Sequence, residues 1–90
     1  MSQAIVSPDE LRKFSSELKR FSTDLRSDTK RLHDRFRQLG ETWRDQEHSK
    51  FERDFMNTAK VIDNFVSAAD NYVAFLMRKA EAADAYLKRR

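Results

Sequence analysis

Hydrophobic residues in the first half of the chain recur at steps of three, four and seven positions, which is the spacing of a helix that packs along a neighbouring helix. They are Leu11, Phe14, Leu18, Phe21, Leu25, Leu32, Phe36 and Leu39. The series is interrupted once, where Asp28 and Thr29 stand at the expected apolar position. We expect Thr29 to occupy this position on the packed face of the helix and Asp28 to face solvent. The alternative is that these residues make a polar contact that fixes the register of the helix against its neighbour. The pattern predicts a first helix over about residues 8–40.

The second half carries a wider heptad pattern that predicts a second helix over about residues 46–88. Its apolar positions include Phe51, Phe55, Ala59, Ile62, Phe65, Val66, Ala69, Tyr72, Val73, Leu76, Ala80, Ala83 and Tyr86, with Thr58 and Leu87 in step. A flanking row adds Val61, Ala68, Phe75 and Ala82. One neighbouring helix does not cover so broad an apolar surface, so the pattern indicates a further packing partner.

The first helix has a clear predicted start. Ser7 precedes Pro8, which suits the first helical position, and Glu10 follows Ser7 by three residues as in a capping box. We therefore expect the first helix to begin at Pro8, after an unpatterned leader of residues 1–6.

A turn is predicted over residues 40–45. Gly40 is the only glycine in the chain, and we expect it to adopt the left-handed conformation that closes many helices. Asp45 is a candidate cap for the second helix. Ser49 with Glu52 is an alternative capping box one turn later.

These elements predict an all-α fold, in which one domain spanning residues 1–90 forms an antiparallel two-helix hairpin that dimerises into a four-helix bundle. A chain of 90 residues without cysteine has only a marginal core of its own and no disulfides, so self-association is the expected supplement. We expect the core and the dimer interface to contain Leu18, Phe21, Leu25, Phe55, Ile62, Phe65 and Leu76.

No arrangement of side chains suggests catalysis, and we expect neither an enzyme, a cofactor nor a metal site. His33 and His48 do not form an i, i+4 pair or a Glu-x-x-His pair with metal-ligand spacing, so we expect both at the surface. Trp43, the only tryptophan, falls in the predicted turn. It either caps the end of the core or anchors a partner.

The formal charge of +3 arises from 18 basic and 15 acidic residues that are mixed along the chain. A basic helical protein that binds nucleic acid or a membrane surface is the alternative function. Its candidate contacts are Lys30, Arg31, Arg35, Arg37 and the tail Lys88, Arg89 and Arg90. We do not favour it, because acidic neighbours interrupt this basic field. We expect no transmembrane segment and no classical signal peptide.

The chain resembles the WXG superfamily, the small Esx-like helical hairpins of type VII secretion. The resemblance rests on Leu39-Gly40-x-x-Trp43-x-Asp45, on Phe51 eight residues after the tryptophan, and on a heptad helix at each side of the turn. It covers nearly the whole chain, with Asp45 in place of the glycine that the family carries. Gly40, Trp43, Asp45 and Phe51 would form the turn motif.

The resemblance implies a homodimer or a heterodimer with a homologous small helical protein, with a secretion ATPase or an effector as further partners. It implies a cytoplasmic protein, or one exported without a signal peptide. Exported members commonly carry a Tyr-x-x-x-Asp/Glu signal. Here Tyr72 is followed by Leu76 and Tyr86 by Arg90 at the fourth position, so we do not expect this chain to be exported on its own. A dimer that the secretion ATPase recognises, a helper that pairs with a signal-bearing effector and a cytoplasmic adaptor are the alternatives.

Overall fold

Two long helices joined by a short turn make up the fold. The computed structural model describes residues 6–88, which contain helix α1, Pro8–Leu39, and helix α2, Gln46–Lys88. Within this range there is no β-strand. The structure confirms the predicted all-α helical hairpin. Residues 1–5 of the leader predicted over residues 1–6, and the basic residues Arg89 and Arg90, lie outside the described range.

Helix α1 begins where the capping pattern predicts. The Ser7 hydroxyl accepts a hydrogen bond of 3.3 Å from the backbone N–H of Glu10, and the N–H of Leu11 donates to the Ser7 carbonyl at 3.0 Å. Asp9 and Glu10 lie in the first turn. Their negative charges also favour this end of the helix, because the helix dipole is positive there.

The helices form two compact units, of which the first contains, among the described residues, 6–22 and 68–88. Arg12 forms an ion pair with Asp84, and the Lys19 ammonium lies 3.5 Å from Asp70. The order of these pairs along the two segments shows that the segments run antiparallel. The hydrogen bond with Asp84 is the main reason that the pKa of Arg12 is raised, opposed in part by desolvation.

The second unit contains residues 23–67 and includes the turn. Phe36 and Val66 are its buried apolar side chains. Thr29 is half-buried, whereas Asp28 is exposed and lies 3.1 Å from Arg31 on its own helix. This confirms that Thr29 fills the interruption in the seam and that Asp28 faces solvent.

The composition of the α1 seam differs from the prediction. Ser15 and Ser22 are only 2% and 1% exposed, although neither belongs to the apolar series. Four members of that series are instead 46–58% exposed, namely Phe14, Phe21, Leu32 and Leu39. Small side chains allow the backbones of two helices to approach closely, so the serines occupy positions where the larger residues of the series would not fit.

Helix α2 has two different apolar faces. The inner row is buried or half-buried and contains Ala59, Ile62, Val66, Ala69, Val73, Leu76, Ala80 and Ala83. A second face contains Phe51, Val61, Phe65, Tyr72 and Phe75, which are 39–66% exposed. The wide pattern read from the sequence therefore divides into a row that packs within the hairpin and a face that remains open to solvent.

Candidate functional site

The turn continues directly from the last turn of α1. The N–H of Gly40 is shared between the carbonyls of Phe36 and Arg37 at 3.2 and 3.1 Å, and the N–H of Trp43 donates to the Leu39 carbonyl at 3.0 Å. The Arg44 guanidinium then donates to the Gly40 carbonyl at 3.0 Å. The final carbonyls of the helix thus have partners, which helix ends require when they are not solvated.

Gly40 does not adopt the left-handed conformation that we expected. No residue in the described range, glycine included, has a positive φ. Space is the reason that glycine suits this position: a Cβ atom would lie 3.2 Å from the Arg37 carbonyl oxygen and 3.5 Å from Nε2 of His48. The tighter contact is with the last turn of α1 itself, whereas the contact with His48 of α2 is an ordinary van der Waals distance.

Asp45 caps the second helix. Its carboxylate accepts a hydrogen bond of 3.0 Å from the backbone N–H of His48, and its carbonyl accepts from the N–H of Ser49 at 3.4 Å. Asp45 is therefore the cap of α2, and the alternative candidate, Ser49, lies inside the helix. An aspartate at this position also places a negative charge at the positive end of the helix dipole.

Six aromatic rings pack together beside the turn: His33, Phe36, Trp43, His48, Phe51 and Phe55. Phe36 is at their centre, with ring centroids 5.1 Å from His48, 5.5 Å from Phe51 and 5.2 Å from Phe55. Trp43 meets His48 edge to face at 5.0 Å and lies 6.0 Å from Phe51. We call these six residues the aromatic cluster. Two members of the predicted turn motif, Trp43 and Phe51, belong to it.

The expectation of two surface histidines is wrong. His33 and His48 are both half-buried, and His33 stacks with Phe55 at 6.4 Å. Nε2 of His48 is buried and has no hydrogen-bond partner among the described residues. A sequence pattern could have indicated this, because His33 and Phe36 are one turn apart on α1, as are His48 and Phe51 on α2.

A shallow cleft of about 280 Å³ opens beside the aromatic cluster. Its walls are formed by Phe36, Arg37, Gly40, Glu41, Arg44, His48 and Glu52. Both arginines of the cleft have partners within the chain. The Arg37 guanidinium lies 3.5 Å from the Asp34 carboxylate, and the Arg44 guanidinium donates to the Gly40 carbonyl. Within residues 6–88 no group of three His, Cys, Asp or Glu side chains could hold a metal ion.

The residues expected at the core and dimer interface fall into two groups. Leu18, Leu25, Phe55, Ile62 and Leu76 are half-buried within the hairpin. Phe21 and Phe65 are 56% and 39% exposed, so a second molecule would be needed to bury them fully. Their assignment to a dimer interface stays a prediction.

The basic row of α1 is partly neutralised within the helix. Arg31 and Arg37 lie 3.1 and 3.5 Å from Asp28 and Asp34, one turn earlier. Lys30 and Arg35 are exposed. Such pairs reduce the field that a polyanion or an anionic membrane would meet. In the described part of the chain, neither helix has an apolar stretch long enough to cross a bilayer.

Comparison with known proteins agrees with this architecture. The sequence matches the WXG100 family, described as proteins of 100 residues with WXG, over residues 3–86. The crystal structure of the secreted protein ESXB from Bacillus anthracis strain Sterne is similar at a TM-score of 0.80 and 19% identity, covering 96% of this chain and 98% of that chain. No curated protein matches the sequence. With its two heptad helices, mid-chain turn and Trp43, the chain belongs to the WXG100 family of small helical proteins associated with type VII secretion.

Proposed function

We propose that this chain is a protein-binding module of type VII secretion that acts as a dimer, either as a secreted substrate or as a chaperone or adaptor for one. One observation carries the proposal: the described residues include thirteen large apolar side chains that are at least 38% exposed. Large apolar side chains exposed in such number on a small protein are typical of an interaction surface. No catalytic step enters the proposal.

The exposed side chains follow the helices in rows, which suits a helical partner. Phe14, Phe21, Leu32 and Leu39 are exposed on α1, and Phe51, Phe65 and Tyr72 on α2. Two hairpins that bury such rows against each other would form a four-helix bundle. The partner is a second copy or a homologous small hairpin.

A role as helper is supported by the residues that follow the two tyrosines. Neither Tyr72 nor Tyr86 is followed by an acidic residue at the fourth position. The dimer would therefore rely on a signal-bearing partner, such as a homologue or an effector, for recognition by the secretion ATPase. In this proposal the chain is made in the cytoplasm and leaves the cell, when it does, without a cleaved signal peptide.

The first test is the mass of the purified chain by light scattering coupled to size exclusion, with circular dichroism on the same sample. We expect a strongly helical dimer of about twice 10.7 kDa. Phe65→Asp should yield a monomer, because a carboxylate buried in an apolar interface without a partner is strongly unfavourable. Asn64→Asp is the matched control, since Asn64 is exposed outside the apolar rows.

The second test is export from the native host, with and without its type VII secretion ATPase. We expect the chain in the culture medium only when the ATPase is present, and less of it when a signal-bearing partner is deleted. A monomeric wild-type chain that also binds no homologous hairpin would contradict the dimer. Export that is independent of the ATPase would contradict the assignment to this pathway.

A further inference from the structure

We infer that a strip of exposed polar side chains on α2 is a second binding surface, and that its partner is an acidic helix of another protein. The strip consists of Lys50, Arg53, Asn57, Lys60 and Asn64, and we call these five residues the polar strip. It lies entirely within the unit of residues 23–67. The inference goes beyond the proposed function, because these residues are separate from the exposed apolar side chains on which the dimer depends.

The residues of the polar strip share one side of the helix. They follow one another at steps of three and four positions, so they span only about 80° of the helix circumference over about 21 Å of its length. All five are exposed. Asn64 is two residues from the buried Val66, which places it about 160° around the helix from that residue. The polar strip therefore lies on the side of α2 that faces away from the inner row.

The three cations of the polar strip have no counter-ion within the hairpin. Lys50, Arg53 and Lys60 form no ion pair or hydrogen bond with any of residues 6–88. On α1, by contrast, Arg31 lies 3.1 Å from Asp28 of the same helix. Because the polar strip contains no carboxylate, an anionic partner would meet cations that are not already neutralised.

The width of the polar strip favours a helix over a nucleic acid or a membrane. Carboxylates border it on both sides, since the exposed Asp63 is one turn from Lys60 and the exposed Asp54 is one turn from Lys50. A helix with its side chains is about 10 Å across and would contact the strip alone. A DNA duplex or a bilayer surface is wider and would also meet the bordering carboxylates, which repel phosphate groups.

The two asparagines also favour a protein partner. Asn57 and Asn64 alternate with the cations along the strip, and neither amide has a hydrogen-bond partner in the described part of the chain. An amide both donates and accepts hydrogen bonds but carries no charge that would neutralise a phosphate. Steps of three and four are also the spacing at which the side chains of two helices meet. The complementary surface is a helix whose glutamates or aspartates face the three cations and whose polar side chains face the two amides.

A designed peptide tests this surface on the whole protein. The probe is an alanine-based helical peptide of about 21 residues with glutamates at steps of three and four along one side, and a second peptide has lysines at the same positions. The strip variant combines three substitutions: Lys50→Glu, Arg53→Glu and Lys60→Glu. We expect it to raise the Kd of the glutamate peptide about tenfold or more and to bind the lysine peptide, which the wild type should not bind.

The matched control changes the same residue types on the other helix. It combines Lys13→Glu, Lys30→Glu and Arg35→Glu, all at exposed positions of α1, so its formal charge equals that of the strip variant. At about 150 mM salt, where distant charges are largely screened, we expect the control to change the Kd of the glutamate peptide by less than about threefold. Fluorescence anisotropy measures each Kd. Circular dichroism and light scattering verify that both variants keep the helicity and the oligomeric state of the wild type.

Equal loss of binding in the two triple variants would show that the peptide responds to net charge alone and would overturn the polar strip as a site. A glutamate peptide that does not bind the wild type at about 50 mM salt would overturn the acidic helix as partner. Tighter binding of a DNA duplex, or of phosphatidylcholine vesicles that contain phosphatidylserine, would overturn it as well. None of these outcomes bears on the proposed dimer, whose mass is measured separately.

Discussion

The imidazole ring of His48 stacks on the ring of Phe36 with centroids 5.1 Å apart and planes that differ by 4°. This contact joins the end of α1 to the start of α2 across the turn. A Cβ atom at residue 40 would lie 3.5 Å from Nε2 of His48, which is an ordinary van der Waals distance. The turn therefore brings side chains of the two helices into contact as well as reversing the direction of the chain.

Phe36→Ala should destabilise the hairpin strongly. Phe36 is 8% exposed and contacts three other rings of the aromatic cluster, so its truncation leaves a cavity that costs about 3 kcal/mol. Phe36→Leu retains most of the volume and should cost about 1 kcal/mol. Urea unfolding at a fixed subunit concentration measures both. Equal stability of the alanine and leucine variants would contradict the central role of this ring.

Gly40→Ala should cost about 1 kcal/mol, because the new methyl group crowds the Arg37 carbonyl while the backbone itself is unstrained. Gly40→Asn distinguishes this explanation from the one that the sequence suggested. If residue 40 were left-handed, asparagine would be tolerated better than alanine. We expect asparagine to be the worse of the two, since it is larger; thermal unfolding of the two variants decides between the explanations.

Asp45→Ala should destabilise the protein by about 1 kcal/mol through loss of the cap on α2. Asp45→Gly installs the residue that the family motif carries and should lose only a few tenths of a kcal/mol. Thermal melting of both variants, at the same concentration, provides the comparison. A glycine variant that is as unstable as the alanine variant would indicate that the aspartate has a role beyond capping.

Ser15→Ala should be neutral or should stabilise by up to about 1 kcal/mol, because the Ser15 hydroxyl is buried and has no hydrogen-bond partner in the described range. Ser22→Ala differs in that the Ser22 hydroxyl donates to the Lys19 carbonyl at 3.2 Å, so this variant should cost about 0.5 kcal/mol. Ser15→Leu should be far worse than either, since the position is 2% exposed. Urea titrations that rank the leucine variant with the alanine variant would contradict close packing at this seam.

Local signals in the sequence were sufficient to predict the two helices and the residues that cap their N-termini. Ser7 with Glu10 and Asp45 are capping residues whose action depends on a few neighbouring backbone groups, and both caps are present in the structure. The heptad spacing likewise predicts two helices, because period is a property of one segment and needs no knowledge of its neighbour. The turn motif and length were enough to suggest the family to which the chain belongs.

Which face of each helix is buried was decided only by the packing of one helix on the other. Leu18 and Phe21 both belong to the apolar series of α1, yet Leu18 is half-buried and Phe21 is exposed. The buried positions include Ser15 and Ser22 instead. The position of His48 was likewise decided by tertiary contact, through its stack with Phe36 across the turn. Composition and the period of the apolar residues determine that these residues lie on helices. The distance and the rotation between two helices determine which side chains each residue contacts. Both depend on the volume of the side chain at every contact, which the pattern of a single segment does not contain.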